Sequence, residues 1–212
     1  MSGFNERNIF FDLDRVANIL ENGGLIAIPT DTIYGLAVLS SIDSAVEKVF
    51  QIKGRSESQA LPLLLGSVQQ INDYADGIND DVIGLVNEFW PGSLTLIVKK
   101  TPGVSEIVSG GLPSVALRLP DHPIPRAISE RMNSAITGTS VNRSGEPPFN
   151  DAKSIYEEFG DEIDYIVEHP TKKREFQPST ILDVTSEPWV LLREASIPRL
   201  KLEEFLGSGF IK

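Results

Sequence analysis

Short polar side chains follow an apolar run near the start of the chain. Pro29 interrupts the run at 25–28, and the sequence Thr-Asp-Thr follows at 30–32. Because proline cannot donate a sheet hydrogen bond, we expect a buried strand to end there. Ligands of α/β proteins bind beyond the carboxyl ends of strands. The hydroxyls and the carboxylate at 30–32 could therefore bind a polar ligand; the alternative is a polar turn above a buried Tyr34.

Basic side chains occur beside a glycine and at the ends of apolar runs. Lys53 and Arg55 flank one glycine, Arg118 ends a run of strand character, and Arg193 ends another. A cation in a buried run requires a carboxylate or phosphate partner, which favours a functional role for Arg118. For Lys53 and Arg55 the alternative is a solvated helix C-terminus, where cations are favourable in any case.

A polar loop at 140–150 could bind an anion or a ribose. Ser140 and Asn142 follow a predicted strand and precede a Ser-Gly pair. Small hydroxyls, an amide and free backbone N–H groups form such cradles. The alternative is an ordinary turn stabilised by a Ser or Asn side chain. The basic run at 172–174 is expected to be a solvated loop.

Composition excludes several classes of protein. The chain has no cysteine, which excludes disulfides, thiolate metal sites and a cysteine nucleophile. His122 and His169 lack the spacing of a metal site, and the sequence contains no P-loop, dinucleotide fingerprint or nucleophile elbow. A net charge of −11 disfavours general affinity for nucleic acid, although a local basic pocket could bind a small anion. With neither a signal-like start nor an apolar run of ~20 residues, we expect a cytoplasmic location.

Helical and strand patterns alternate irregularly, which predicts an α/β fold with a mixed sheet in a single domain over 1–212. The alternative is a pair of subdomains hinged near 103–111. Helices are predicted at 12–21, about 44–53, 68–75, 80–89, 123–132, 151–159 and 200–206. Strands are predicted at 25–28, 61–65, 94–98, 114–119, 134–139, 165–167, 180–184 and 189–193.

Six short motifs, in this order over 12–197, resemble those of the YrdC/Sua5 family of L-threonylcarbamoyladenylate synthases. They are PTDTIYGL at 29–36, KGR at 53–55, ALRLP at 116–120, SVNRSG at 140–145, STILD at 179–183 and LRE at 192–194. The resemblance implies a twisted mixed sheet with helices around a concave, basic cleft. It also implies the short form of the family, without the extra C-terminal domain of the Sua5 type.

The resemblance implies an enzyme, a nucleotidyltransferase, that makes threonylcarbamoyl-AMP and pyrophosphate from L-threonine, bicarbonate and ATP. The product would pass to the proteins that transfer the threonylcarbamoyl group to tRNA adenosine. Mg²⁺ would accompany ATP, held by phosphates and water with little help from the protein. Two alternatives keep the fold without this activity: a paralogue of the YciO type with another substrate, and an RNA-binding module.

Site residues follow from the motif positions. L-threonine would be bound by Thr32, Arg118, Ser140 and Ser179. ATP would be bound by Arg55, Gln59, Ser114, Asn142, Asn150 and Arg193, with Lys53 and Arg55 as the catalytic cations beside its phosphates. Thr30 and Asp31 would shape the turn, and Tyr34 would pack beneath it.

The chain departs from the family pattern after the KGR motif. Ser56 stands where a proline is common, and the pair Pro62-Leu63 comes about two residues late. Gly66 stands at the position expected for a histidine that contacts threonine.

Overall fold

The first two helices begin within one residue of their predicted starts and end where the sequence predicts. α1 (Leu13–Glu21) follows Asp12, whose carboxylate accepts a hydrogen bond from the backbone N–H of Arg15 at 3.0 Å. α2 (Asp43–Lys53) ends at Gly54, which has φ +58°. A residue with a side chain rarely adopts this left-handed conformation, so the glycine ends the helix and sends Arg55 back towards the sheets.

The structure is a computed structural model that describes residues 12–168, 177–207, 209 and 211–212. The predictions for His169 and for the basic run at 172–174 lie outside these residues. The remaining helices are α3 (Ile71–Tyr74), α4 (Asp80–Phe89), α5 (Glu106–Ser109), α6 (Pro123–Met132), α7 (Ala152–Phe159) and α8 (Arg199–Leu206), with 3₁₀ turns at Val68–Gln70 and Gly160–Glu162. In the described part of the chain, no helix is long and apolar enough to cross a membrane.

The strands form two mixed sheets, which confirms the predicted α/β class. The first sheet has the order β7 (Thr139–Ser140), β2 (Gly35–Ala37), β1 (Ile26–Ile28), β8 (Tyr165–Ile166). The second has the order β10 (Val190–Arg193), β9 (Thr180–Asp183), β4 (Leu94–Lys99), β5 (Ser114–Arg118), β3 (Leu63–Leu64), β6 (Ile136–Thr137). In the first sheet β1 and β8 run parallel, and in the second β4 and β9 do so, as do β3 and β5; the other neighbours are antiparallel.

Burial on both faces explains why β1 is apolar at every position. Ile26 and Ile28 pack in a cluster with α1 and α6, whereas Ala27 packs on the opposite face in the larger core. A strand covered on both faces has no solvent-facing position that would favour a polar side chain. The polar residues can therefore begin only after the strand ends, as they do at Thr30.

The predicted strand at 134–139 is wrong as a single element. The chain leaves the second sheet after β6, passes through Gly138 and enters the first sheet as β7. A Cβ on Gly138 would lie 2.4 Å from Cγ of Leu64, so only glycine fits at the crossing. Three further differences are that β2 was not predicted, that the connection at 101–113 contains α5, and that β3 is shorter than expected.

Candidate active site

A cavity of about 340 Å³ lies between the two sheets and is bordered by their strand ends. Its polar lining comes from Thr30, Thr32, Arg55, Thr95, Arg118, Thr139, Ser140, Ser179 and Arg193. Its apolar lining includes Pro62, Leu64, Ile97, Ala116 and Ile181. The structure thus brings together six of the residues predicted from the motifs, which are Thr32, Arg55, Arg118, Ser140, Ser179 and Arg193.

Arg118 is buried at the base of this cavity, with 6% of its surface exposed. Its Nη2 donates to Oδ1 of Asp31 at 2.5 Å, and its Nη1 donates to Oγ1 of Thr32 at 2.8 Å. Its Nε donates to the carbonyl of Gly92 at 2.9 Å. The requirement for a carboxylate partner is therefore met by Asp31, which the sequence analysis assigned only to the turn.

The hydroxyl groups after β1 hold the turn in which Asp31 lies. Oγ1 of Thr30 donates to the carbonyl of Ile33 at 2.7 Å and accepts from the backbone N–H of Thr32 at 3.1 Å. Tyr34 is buried beneath the turn, as predicted, and its hydroxyl donates to the carbonyl of Val167 at 3.2 Å. The turn therefore presents the Thr32 side chain to the cavity in a fixed position.

Arg193 and Ser179 form the wall contributed by β10 and by the start of β9. Arg193 donates through Nε to the Ser179 carbonyl at 2.8 Å and through Nη2 to the Ser179 hydroxyl at 3.2 Å. Burial lowers the pKa of Arg193, and the neighbouring positive charge of Arg118 lowers it further. Two guanidinium groups thus lie near each other at one end of the cavity, an arrangement that an anion would stabilise.

Thr95 is a cavity residue that the sequence analysis did not find. Its side chain is almost fully buried, and its hydroxyl lies 2.8 Å from that of Ser179. The available signal was a single polar residue in the apolar run at 94–98. Because threonine is common in strands, that signal did not distinguish it from a structural residue.

Arg55 reaches the cavity from the residue after Gly54. Its Nη2 donates to the carbonyl of Ala60 at 2.9 Å, and burial lowers its pKa. Its Nε is buried and has no hydrogen-bond partner in the described part of the protein. An unpartnered buried donor on a cation is costly, and an anionic ligand would satisfy it.

Lys53 lies behind the cavity lining, with 4% of its surface exposed. Its ammonium donates to the carbonyl of Ser140 at 2.6 Å, to the carbonyl of Asn142 at 3.1 Å and to Oδ1 of Asn142 at 2.8 Å. The Ser140 hydroxyl donates to the same Oδ1 at 2.6 Å. These contacts engage all the donors of Lys53 in holding the segment 140–142.

The other predicted ATP residues lie outside the cavity lining. Gln59 is exposed. Ser114 lies on the same face of β5 as Ala116 and Arg118, two residues before Ala116, and does not line the cavity. Asn150 has a buried Oδ1 without a partner among the described residues. Their contact with ATP remains a prediction.

Gly66, which stands at the position expected for a histidine, does not line the cavity. Gly66 packs against α6, where a Cβ would lie 2.7 Å from the backbone nitrogen of Glu130. Leu64, two residues earlier, borders the cavity in its place. The wall contributed by β3 is therefore apolar.

The charge of the cavity favours anions. Arg55, Arg118 and Arg193 border it, and its described lining contains no carboxylate. Protein ligands for Mg²⁺ would be limited to hydroxyl groups, which fits a cation held by phosphate oxygens and water. No cluster of carboxylates or histidines able to hold a metal occurs in the described part of the chain.

Comparison with known proteins shows the family of this chain. The profile of the Sua5/YciO/YrdC family, described as telomere recombination, matches residues 18–195. The chain belongs to this family. The threonylcarbamoyl-AMP synthase of Pyrococcus abyssi is 34% identical over 191 residues, which are 90% of this chain and 56% of that protein. The synthase of Vibrio parahaemolyticus is 30% identical over 174 residues, 81% of this chain and 94% of that protein.

The chain spans 56% of the length of its relatives in Pyrococcus abyssi and Bacillus subtilis. Among solved structures, Sua5 of P. abyssi complexed with L-threonine has a TM-score of 0.89 and 33% identity, with 94% of this chain and 58% of that chain covered. YciO of E. coli has a TM-score of 0.80 at 22% identity, with 90% and 91% covered, and supports the fold alone.

Proposed function

We propose that this protein is an L-threonylcarbamoyladenylate synthase, which uses L-threonine, bicarbonate and ATP. The observation that carries the proposal is the convergence of Arg55, Arg118 and Arg193 with several hydroxyls on one cavity that has no carboxylate in its described lining. All three proposed substrates carry a negatively charged group, and they must react with one another in one site. The names of the relatives from P. abyssi and V. parahaemolyticus support the same activity.

Arg118 is the proposed ligand of the threonine carboxylate. Of its five N–H donors, three are used by Asp31, Thr32 and Gly92, which leaves one on each terminal nitrogen. One donor on each terminal nitrogen is the arrangement that binds a carboxylate in bidentate fashion. Thr32, Ser140 and Ser179 supply hydroxyls for the amine and side chain of the same ligand.

Arg55 and Arg193 are the proposed ligands of the ATP phosphates. Neither forms an ion pair in the described part of the protein, and Arg55 has a buried donor without a partner. Both can neutralise charge on the phosphates, as phosphoryl transfer requires. Lys53 donates to Ser140 and Asn142 and so holds the segment that contains both. We propose that its catalytic role is exerted from this position.

The reaction requires no covalent nucleophile from the protein. The threonine amine attacks bicarbonate, water is lost, and a carbamate forms. A carbamate oxygen then attacks the α-phosphorus of ATP, and the bond to pyrophosphate breaks. Positioning and charge neutralisation are the contributions this site can make. Mg²⁺ bound to ATP would supply further neutralisation on the phosphates. The proposed setting is the cytoplasm, where transfer proteins would consume the product to modify tRNA.

The deciding experiment is pyrophosphate release by the purified protein. We expect release only when L-threonine, bicarbonate and ATP are all present, and we expect Arg55→Met to abolish it. Arg131→Met is the matched control, because Arg131 is a surface arginine that pairs with Asp14 at 3.5 Å. A wild-type protein that releases no pyrophosphate in the presence of threonine would refute the proposal. Turnover with another amino acid would favour the YciO-type alternative, and tight, salt-sensitive tRNA binding without ATP would favour the RNA-binding alternative.

A further inference from the structure

The three arginines of the cavity differ in how their charge is balanced. Arg118 has a carboxylate partner, Asp31, and the side chains of both residues are less than a tenth exposed. Arg55 and Arg193 have no carboxylate partner in the described part of the protein. The cavity lining therefore contains one neutralised guanidinium, that of Arg118, and two uncompensated ones.

Asp31 also fixes the direction of the Arg118 side chain. Its Oδ1 accepts from Nη2 of Arg118, while its Oδ2 accepts from the hydroxyl of Ser93 at 3.3 Å. The carbonyl of Gly92, beside Ser93, accepts from Nε of Arg118. Asp31 lies in the turn after β1 of the first sheet, whereas Arg118 ends β5 of the second sheet and the segment 92–93 directly precedes β4 of that sheet. Asp31 is not part of the cavity lining, and from behind it the carboxylate holds the Arg118 guanidinium at the junction of the sheets.

We propose that Asp31 is a positioning and specificity-determining residue, which makes Arg118 a site for a singly charged carboxylate and keeps phosphate groups away from it. This inference rests on the proposed function. A guanidinium already paired with a carboxylate attracts a polyanion weakly, because the two charges nearly cancel at a distance. Its two remaining N–H groups still form directed, short-range hydrogen bonds with a carboxylate. Phosphates are therefore drawn to Arg55 and Arg193, the two guanidinium groups that have no carboxylate partner in the described part of the protein.

The selectivity of Arg118 depends on its charge and on the orientation of its N–H groups, and these two properties favour different ligands. A free guanidinium binds the more highly charged group most strongly, which in this cavity would be ATP or pyrophosphate. Threonine bears one carboxylate and one ammonium group, so it competes poorly for an uncompensated cation. Neutralising Arg118 removes this disadvantage, while its fixed orientation preserves affinity for threonine. Asp31 acts through Arg118 without touching the ligand.

Asp31→Asn and Asp31→Glu separate the two effects. Asn preserves the shape of the side chain and removes the charge, whereas Glu preserves the charge and displaces it by one methylene group. Asp121→Asn is the matched control, because Asp121 is an exposed carboxylate three positions after Arg118 and undergoes the same chemical change. Each protein is titrated calorimetrically with L-threonine, with ATP, and with L-threonine in the presence of inorganic phosphate.

We expect Asp31→Asn to weaken L-threonine binding by about one to two orders of magnitude, since displacement of a positioning group has effects of this size. Its ATP affinity should be unchanged or higher, and inorganic phosphate should now compete with threonine. Wild type and Asp121→Asn should bind threonine equally well with and without phosphate. Asp31→Glu should lose threonine affinity yet still exclude phosphate. A purely structural role would lower ATP and threonine affinity together.

Two results would overturn the inference. The first is a threonine affinity of Asp31→Asn equal to that of wild type. The second is that phosphate competes with threonine to the same extent in wild type and in Asp31→Asn. If Asp31→Asn does not fold, Asp31→Glu decides, because unchanged threonine affinity in that variant is incompatible with positioning. A wild-type protein that does not bind threonine at all would instead refute the proposed function. The two failures are thus distinct.

Discussion

The ammonium nitrogen of Lys53 lies 2.8 Å from Oδ1 of Asn142, inside the protein and behind the cavity lining. Asn142 uses its amide group in the other direction, donating to the carbonyls of Arg143 and Glu146 at 2.9 and 2.7 Å. This one contact therefore joins the end of α2 to the whole turn that presents Ser140. It explains how residues far apart in the sequence act as one unit.

We expect Lys53→Met and Asn142→Leu to be strongly coupled. Each single change leaves buried polar groups without partners, which costs about 1–3 kcal/mol for each group. The double variant removes both members of the contact, so its loss of stability should be smaller than the sum by at least about 1 kcal/mol. Urea unfolding of the four proteins measures this coupling. Additive losses would show that the contact does not organise the turn.

The Lys53 contact also predicts a dependence of stability on pH. Burial, and to a lesser extent the neighbouring Arg55, lower the pKa of Lys53 from 10.5 to about 8. Below pH 8 both the folded and the unfolded chain carry the proton, and the folded state bears the cost of the buried charge. Between pH 8 and 10.5 the unfolded chain binds more protons, so the unfolding free energy should rise with pH.

The measurement is the difference in unfolding free energy between wild type and Lys53→Met. It should increase by up to about 3 kcal/mol across this interval, since one pKa unit corresponds to about 1.4 kcal/mol. Lys153→Met, which changes an exposed lysine in a surface ion pair, serves as the control. A difference that stays constant with pH would contradict the lowered pKa.

Thr95 should contribute to substrate use without a large effect on stability. Thr95→Val retains the shape of the side chain and removes the hydroxyl that faces Ser179. We expect kcat/KM for L-threonine to fall about tenfold, the size expected from one lost hydrogen bond of ~1.4 kcal/mol. Thr101→Val is the control, because that hydroxyl donates to the carbonyl of Asp73 beyond the far end of β4. An equal kcat/KM for L-threonine in the two variants would show that the Thr95 hydroxyl does not contribute to substrate use.

Gly138 should be intolerant of even one methyl group. A Cβ at this position would lie 2.4–2.7 Å from the side-chain carbons of Leu64. We expect Gly138→Ala to destabilise the protein by about 1–3 kcal/mol and to impair activity, as overpacking does. Adding Leu64→Ala should restore part of the stability relative to the sum of the two single changes. Thermal unfolding checks this, and strictly additive effects would place the strain elsewhere.

Local chemistry explains which parts of the fold were predictable. The end of α2 at Gly54 follows from glycine's tolerance of positive φ, and the end of β1 follows from Pro29. β2 was missed because it contains only Gly35–Ala37, and three residues are too few to show the alternation of apolar and polar side chains that predicts a strand. The split at Gly138 was missed because the reason for it, the Leu64 side chain, is distant in sequence.

The sequence by itself determined which chemical groups lie at strand ends, because apolar runs and their breaks are local. Thr32, Arg118, Ser140 and Arg193 were identified in this way, whereas Ser179 was identified only through the family resemblance. Only the tertiary structure decided which of these groups meet. The partner of Arg118 is Asp31 on the other sheet, Lys53 lies behind the cavity, and Thr95 borders it. Such pairings depend on how two sheets pack, and no spacing within one strand or turn records that.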